Sequence, residues 1–496
     1  AFCFVKTYSR LETAATPTPG ANLTTLVDTN GAPLHRPAPA PSRARQLDAA
    51  GRGSRWQKAP YLQNFASEAV QGGNIIRSRA RYFARNNANV AAAVDALVAN
   101  IVGTGIRPQP RHPDQEVRQR LSEAWDDWQS AADVTGRHDF YGLQALVARQ
   151  MIEAGEGLLR FLVRDGELRL QHVAADQLPF DDHRRAEGGG TVRAGVEVDA
   201  DGAPLAYHLH PAQTLDWYEP IQPRRIPAED VMHVFRQLEP GQPRGVTWLL
   251  PILLTMLDLD QFEDATLVRQ KVAAMAAGAV VDVNGEQAGV TGTGDGGFAD
   301  AVWEPGTLFR LDPGQDIRFY NPPDTGDHES FVKHKLRMVG VGIGATYELL
   351  SGDYSEHNYS SLRASYMELR RRIRQVQHSV LTHQLLRPTW RRFIDHLVLQ
   401  GELDAADVQA APRQYGADWL PPRFEAADPL KDVEAELSEL RAGLKSRSQA
   451  ARERGITVEE LDRQIAEDVA REQRLGLAPD ASPTPQPAQP QGENAA

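Results

Sequence analysis

The spacing of apolar residues changes at Gly155, and this change constrains the fold more than any other feature of the sequence. Before Gly155, apolar residues recur every three or four positions, which predicts amphipathic helices; the clearest run is Val90, Val94, Leu97, Val98 and Ile101. Asp139 is positioned to cap a later helix of this region. After Gly155, apolar and polar residues alternate in GLLRFLVR, ELRLQHV, VRAGVEVD and PLAYHLH, with turn residues such as RDGE between them. We therefore predict an α+β fold in which a small antiparallel sheet follows a mainly helical region.

A long helix is predicted in the second half of the chain, behind a short polar segment. Its apolar residues follow a heptad spacing, and they are Leu362, Tyr366, Leu369, Ile373, Val376 and Val380. We expect this helix to reach Pro388 and a further helix to continue to Leu399, because proline interrupts a helix. The segment in front of it, SGDYSEHNYSS, is polar and contains no apolar run.

Another long helix, predicted from Val246 to Ala277, has an acidic centre that contains Asp258, Asp260, Glu263 and Asp264. Like charges one helical turn apart repel each other, so the cluster does not stabilise an isolated helix. If several copies of this helix surrounded a channel, however, the carboxylates would repel a phosphate backbone inside it. The cluster therefore indicates a role in an assembly.

Composition excludes several classes of protein. The formal net charge is -12, which disfavours tight sequence-independent binding of a polyanion, because counterion release requires many cationic contacts. Cys3 is the only cysteine, so internal disulfides, thiolate zinc sites and iron–sulfur clusters are excluded. Pro251 or Asp258 breaks the longest apolar stretches before the roughly 20 residues that a membrane helix needs. No segment near the start resembles a signal peptide, so we expect a cytosolic context.

No motif predicts a catalytic, cofactor or metal site. Gly340, Gly342 and Ala345 match G-x-G-x-x-A, but the preceding KHKLRM is not the buried strand of a dinucleotide-binding fold. His208 and His210 alternate on a predicted strand without a third ligand nearby. The sequence contains no P-loop, G-x-S-x-G or H-E-x-x-H motif. We predict no catalytic residue, no metal, no cofactor and no enzymatic activity.

Four segments, taken in order, resemble the lambda-type family of tailed-phage portal proteins. They are RSRARYFARNNANVAAAVDALVANIVGTGIRPQP, EAWDDWQSAADVTGRHDFYGLQALVARQMIEAGEGLLRF, IPAEDVMHVFRQLEPGQPRGVTWLLPIL and VGIGATYELLSGDYSEHNYSSLRASYMELRRR. Each segment alone is modestly specific, and their common order makes the resemblance close. The arm before Gln57 and the proline-rich tail match poorly.

The resemblance implies a ring of subunits, usually twelve, at one vertex of the capsid. Such a ring nucleates head assembly, admits DNA pumped by terminase and later holds the tail connector. The implied partners are other copies of the chain, double-stranded DNA without sequence specificity, the terminase large subunit, major capsid and scaffold proteins, and head-completion or tail connector proteins; no membrane is implied. The implied location is the portal vertex of the virion, and the host cytoplasm during assembly. A monomeric capsid-assembly scaffold or adaptor, and a capsid-maturation hydrolase, are the alternatives.

The resemblance also assigns segments of the chain to the parts of a portal subunit. In order, these are a flexible arm (1–60), a wing (61–243), a first stem helix (244–277), a β-rich clip (278–328), a second stem helix (329–349), a tunnel loop (350–361), a long wing helix with the segment after it (362–428), crown helices (429–477) and a disordered tail (478–496). The clip would bind terminase and later the connector proteins.

The tunnel loop would project into the channel and form weak, water-exchanged contacts with DNA phosphates. The DNA-facing residues implied by the resemblance are Ser351, Asp353, Tyr354, Ser355, Glu356, His357, Asn358 and Tyr359. Those expected to reach inward are Tyr354, His357, Asn358 and Tyr359, whereas the two acids would repel phosphate. A hinge that lets the preceding helix bend is predicted at Gly340, Gly342 and Gly344. We interpret the loop as a weak, adjustable collar around DNA.

Overall fold

The computed structural model of the chain describes residues 65–186, 189–211, 222–274, 278–282, 315–319, 328–355, 359–424 and 429–476. The first part is mainly helical, as its apolar spacing predicts, and its elements are α1 (Phe65–Asn86), α2 (Ala88–Ile101), β1 (Arg107–Pro110), α3 (Gln115–Ser130) and α4 (Phe140–Ala154). The Asp139 carboxylate accepts a hydrogen bond from the Gly142 backbone N–H at 2.7 Å, so the predicted cap of α4 is confirmed.

Strands begin directly after α4, where the spacing of apolar residues changes. They are β2 (Glu156–Arg164), β3 (Glu167–Val173), β4 (Arg184–Arg185), β5 (Thr191–Arg193), β6 (Val196–Val198), β7 (Pro204–Leu209), β8 (Arg224–Pro227) and β9 (Val231–Phe235). These strands form two antiparallel sheets, of order β3-β2-β9 and β4-β5-β6-β7-β8. Two sheets arise because β9 returns to pair with β2, and an apolar core that includes Leu158, Tyr207 and Ile226 lies between them. The α+β prediction is confirmed.

The first stem helix is shorter than the prediction of residues 244–277. Residues 245–249 are not helical, Leu250–Ile252 forms a 3-10 turn, and α5 spans Leu253–Ala274. Pro251 lies in that turn, where its missing N–H costs no helical hydrogen bond. The chain before the turn crosses Gly155 (φ +95°) so closely that a Cβ there would lie 2.5 Å from the Val246 carbonyl carbon. The side chains of a helical turn would not fit at this crossing.

The region predicted as the clip and the second stem helix is described only in part. Strands β10 (Gly278–Asp282) and β11 (Gln315–Phe319) pair in antiparallel fashion, and residues 283–314 and 320–327 lie outside the described residues. The single helix expected over 329–349 is two helices, α6 (His328–Ile343) and α7 (Tyr347–Ser351). The break follows from Gly344, whose φ of +77° ends α6.

The long heptad-patterned helix crosses Pro388 without interruption, contrary to the expected break. It consists of α8 (Tyr359–Val376), a π-helical segment (Gln377–Leu386) and α9 (Arg387–Gln400). The Arg387 N–H bonds to the Thr382 carbonyl, five residues back, and this wider turn gives the ring of Pro388 room. The predicted apolar stripe is buried from Leu369 onward.

Aromatic side chains from distant parts of the chain form the centre of the main core. Trp125 of α3 lies 5.3 Å from Phe140 of α4, and 5.2 Å and 5.1 Å from Trp390 and Phe393 of α9, measured between ring centroids. The Trp390 indole N–H donates to the Tyr415 carbonyl at 2.7 Å. Aromatic contacts at such distances add to the free energy of burial. This cluster therefore attaches the long helix to the helices that precede the sheets.

The remaining elements follow the long helix. They are α10 (Ala405–Ala410), β12 (Ala417–Leu420), which pairs with β1, α11 (Pro429–Arg441), α12 (Arg447–Glu453) and α13 (Val458–Leu475). The side chain of Thr457 caps α13 by accepting a hydrogen bond from the Glu460 N–H at 3.2 Å. In the described ranges, no helix is both long enough and apolar enough to cross a membrane.

Candidate functional site

Two left-handed glycines shape the segment between α6 and α8. Gly344 ends α6, and the N–H groups of Gly344 and Ala345 both donate to the Gly340 carbonyl, at 2.9 Å and 3.0 Å. Gly352, with φ +67°, ends α7 in the same way. Because a left-handed residue turns the chain sharply after a helix, the backbone changes direction at both ends of α7. Residues after Gly352 therefore leave the helical core as a short loop.

Asp353 organises the beginning of this loop. Its carboxylate accepts hydrogen bonds from the Ser355 N–H at 3.0 Å, the Ser355 hydroxyl at 2.6 Å and the Tyr347 hydroxyl at 3.2 Å. Lys333 Nζ of α6 lies 3.9 Å away. The hydrogen bonds from Ser355, with smaller contributions from Tyr347 and Lys333, lower the pKa of Asp353 to about 2. Asp353 is thus a charged residue that ties the loop to α6 and α7.

The structure brings together only the first half of the predicted tunnel-loop set. Ser351 is the last residue of α7 and donates from its hydroxyl to the Tyr347 carbonyl at 2.9 Å. The side chain of Tyr354 is 48% exposed, and its hydrogen bond to Tyr366, after the larger effect of burial, raises the pKa of Tyr366 to about 12. The positions outside the described residues are Glu356, His357 and Asn358, together with the side chain of Tyr359.

The three predicted hinge glycines occupy close-packed or helix-ending positions. A Cβ on Gly342 would lie 2.5 Å from Ile252 Cγ2, in the turn that precedes α5. A Cβ on Gly340 would lie 3.1 Å from the Ala345 carbonyl oxygen. Further along, Phe262 of α5 stacks on His328 at 5.3 Å. Gly342 therefore allows α6 to approach the start of α5, and hinge motion remains a prediction.

The acidic residues of α5 do not share one face. Asp258, Glu263 and Asp264 are exposed, whereas Asp260 is partly buried and accepts a hydrogen bond from Asn87 Nδ2 at 2.9 Å. At about 100° per residue, Glu263 and Asp264 lie on the same side of the helix as Asp260, and Asp258 lies about a third of a turn or more away. Asp260 thus contacts α2 of its own subunit, while the other three face solvent.

Both α5 and α6 also carry a second apolar stripe that is exposed to solvent. On α5, Leu254 is 75% exposed, and it continues in Leu257 and Val268 on the same helical face. On α6, Met338 and Val341 form a comparable stripe, at 56% and 74% exposed. These residues lie opposite the buried faces of the two helices. Exposed apolar side chains grouped on one face indicate an interaction surface, and on α5 this face also carries Asp264.

Sequence reasoning missed a buried ionic cluster at the junction of the sheets and α5. Glu156 accepts hydrogen bonds from Arg77 Nη2 at 2.6 Å, Arg244 Nε at 3.0 Å and the Gly245 N–H at 2.9 Å, and His233 Nε2 lies 2.9 Å from it. Burial alone would raise the pKa of Glu156, but Arg244 and then Arg77 hold it well below its usual range. The only signal in the sequence was an acid at the start of an otherwise apolar strand.

The described residues offer little to a metal or cofactor. No group of three or more His, Cys, Asp or Glu among them is arranged to hold a metal ion. The buried charges are engaged with each other: Glu197 bonds to His208 at 3.1 Å and to Arg225 at 2.8 Å within the second sheet. These contacts support the sheet, and His208 is therefore a structural residue here.

Comparison with known proteins identifies the family. The model of the phage portal protein, lambda family, matches residues 50–377, a range that includes α5, α6 and all of α8. The chain is 26% identical over 424 residues to a probable portal protein of Halomonas phage phiHAP-1, covering 81% of each. It is 25% identical over 457 residues to the portal protein of Escherichia phage N15, covering 82% of this chain and 85% of the other.

A solved structure of the neck of an empty GTA particle is also similar, with a TM-score of 0.46 and 16% identity, covering 76% of this chain and 93% of the other. The family assignment rests on the match over residues 50–377, which covers well over half of the chain. This chain belongs to the lambda family of phage portal proteins.

Proposed function

We propose that twelve copies of this portal protein, the number usual in its family, form a closed ring at one vertex of the capsid. Double-stranded DNA would pass through the ring without sequence specificity during packaging and ejection. The terminase large subunit would bind the clip during packaging, and head-completion or tail connector proteins would bind it later. Major capsid and scaffold proteins would surround the ring in the virion, after assembly in the host cytoplasm. We expect no enzymatic activity from the ring itself.

The exposed apolar stripes of α5 and α6 carry the proposal of a ring. Each stem helix uses one face within its own subunit and leaves another, containing Leu254, Val268 and Val341, exposed to water. Burying such side chains against a neighbour is favourable by roughly 25 cal/mol for each Å² removed from water. In the proposed ring, the stripe of α5 on one subunit contacts the stripe of α6 on the next, and repeated head-to-tail contacts of this kind can close into a ring.

The DNA-facing role falls to the segment from Ser351 to Tyr359 and to the solvent-facing acids of α5. Asp353 is charged and is held by hydrogen bonds from Ser355, so this part of the loop would hold its shape and would not attract phosphate. Asp258, Glu263 and Asp264 are part of an acidic chain whose formal net charge is -12. A channel of this character would let a polyanion slide, because it offers few cations for counterion release.

The test is to image the purified chain by negative-stain microscopy and to measure its mass in solution. We expect rings with a central hole wide enough for a DNA duplex. A variant with Leu254→Glu and Val268→Glu should remain monomeric, because the charges cannot be buried at the contact. Leu399→Glu is the matched control, since Leu399 is 85% exposed on α9, outside the stem. Monomers from the unmodified chain, or rings from the double variant, would contradict the proposal.

A further inference from the structure

A small cavity between the two sheets is lined by two arginines from different sheets. Its volume is about 180 Å³. In the first sheet, Arg160 of β2 lies directly opposite Gln171 of β3. In the second, Leu209 of β7 lies directly opposite Arg224 of β8, and all four residues line the cavity. The cavity therefore lies between the Arg160–Gln171 pair of the first sheet and the Leu209–Arg224 pair of the second.

The two arginines of this cavity have no acidic partner among the residues that the structure describes. Arg160 is partly buried, and its Nε is fully buried without a hydrogen-bond acceptor in the described part of the chain. None of the described residues that line the cavity is acidic. Nearby, by contrast, Arg77 and Arg244 both bond to Glu156. A buried donor without an acceptor costs free energy, so the cavity is incomplete without an anion.

The size and walls of the cavity restrict that anion. Sites for drug-sized molecules and cofactors begin at roughly 300 Å³, so a nucleotide would not fit. Room remains for one small ion and some water, since each water occupies about 30 Å³. Two guanidinium groups match the oxygens of a phosphate or a similar oxyanion. The other walls include Val173, Leu209 and Ile226, whose apolar surface strengthens electrostatic attraction by excluding water.

We propose that this cavity binds a small oxyanion of the phosphate type, held by Arg160 and Arg224 and oriented by the Gln171 amide. The rim is already fixed, because Gln177 Nε2 donates to the His210 carbonyl at 3.0 Å. The bound anion would neutralise both arginines and join the two sheets of the wing. Its source is either free inorganic phosphate or a phosphodiester group of DNA that reaches the rim.

The test is calorimetric titration of the full chain with inorganic phosphate at constant ionic strength. We expect saturable binding that is at least ten-fold weaker in Arg160→Gln and in Arg224→Gln. Arg193→Gln is the control, because Arg193 is exposed on β5 and does not line the cavity. Absence of binding by the unmodified chain, or an equal loss in the control, would overturn the proposal.

Thermal unfolding separates loss of the site from loss of folding. Without phosphate, Arg160→Gln should melt at or above the temperature of the unmodified chain, because it removes a buried donor that has no acceptor, and Arg224→Gln should melt near that temperature, because Arg224 is exposed. Phosphate should then raise the melting temperature of the unmodified chain and of Arg193→Gln only. Variants that melt lower and still gain stability from phosphate would overturn the proposal. A short DNA duplex added to the titration then distinguishes the two sources. If the duplex weakens phosphate binding, the phosphodiester group is a ligand; if it does not, the ligand is free phosphate.

Discussion

Arg244 and Glu156 form an ion pair in which both side chains are fully buried. Glu156 begins β2 directly after Gly155, and Arg244 precedes the turn that leads into α5. Arg244 also donates to the Ala194 carbonyl at 2.7 Å and to the Leu178 carbonyl at 2.9 Å. The pair therefore connects both sheets of the predicted wing with the start of the predicted stem.

Replacing Glu156 by glutamine should lower the free energy of unfolding by about 3–5 kcal/mol. The reason is that Arg77 and Arg244 would remain buried without a counter-charge. Urea unfolding followed by circular dichroism measures the change. Asp165→Asn is the control, because the Asp165 side chain is 94% exposed, and it should change stability by less than about 0.5 kcal/mol. Equal urea midpoints for the unmodified chain and Glu156→Gln would contradict the stabilising role of Glu156 in the ion pair.

The same pair predicts a defined dependence of stability on pH. The pKa of Glu156 is held well below its ordinary value of 4.5 in the folded chain. In the window between the folded and unfolded pKa, the unfolded chain binds more protons, so stability rises with pH there. The stability advantage over Glu156→Gln should be complete above pH 4.5 and should shrink as the pH falls below it. An advantage that is constant from neutral to acidic pH would argue against this role.

Removing the Asp353 carboxylate should release the loop without preventing ring formation. In Asp353→Ala, Ser355 and Tyr347 lose their acceptor, and the loop loses its tie to α6 and α7. We expect heads that assemble normally but retain less DNA, measured as DNA length per head. Shortening the loop by deleting residues 353–358 should have a larger effect in the same direction. Normal filling and retention in the deletion variant would remove the loop from the mechanism.

Reversing the charge of the acids on α5 should make the channel bind DNA more tightly. Asp258→Lys with Glu263→Lys would place cations beside DNA, so the ring should bind a DNA duplex at least ten-fold more tightly at low salt, and the difference should fall as salt is added. DNA packaging should become slower for the same reason. The control, Glu434→Lys with Glu439→Lys, makes an equal charge change on the exposed face of α11. Equal DNA binding by both variants would show that α5 does not face the channel.

Gly342 should tolerate no larger side chain while Ile252 is present. Gly342→Val would bring its Cβ within 2.5 Å of Ile252 Cγ2, and we expect a loss of about 1–3 kcal/mol from overpacking. Combining it with Ile252→Ala should recover part of that loss, because the smaller side chain leaves room. Unfolding by urea compares the variants. A loss that Ile252→Ala does not reduce would indicate that Gly342 acts through backbone flexibility, as the hinge prediction holds.

The spacing of apolar residues correctly predicted those features that depend on a single helix or strand. The stripe through Leu369 and Ile373 is buried on the face that its heptad spacing specifies, and Asp139 caps the helix that follows it. The predictions that differed from the structure depend on neighbours along or across the chain. Pro388 lies within a continuous helix because the preceding turn is π-helical, and Asp260 contacts Asn87 of α2. Neither the π-helical turn before Pro388 nor the contact between Asp260 and Asn87 can be recognised from the residues of its own segment.

The sequence by itself determined the alternation of helical and strand regions, the acidic character of the chain and its family resemblance, because these depend on residue type and on spacing along the backbone. Tertiary structure alone decided that Glu156 meets Arg77 and Arg244, that the strands divide into two sheets, and that Arg160 and Arg224 face one cavity. The physical reason is that burial, hydrogen-bond partners and charge neutralisation are properties of the space around a residue. That space is built by segments far apart in the chain.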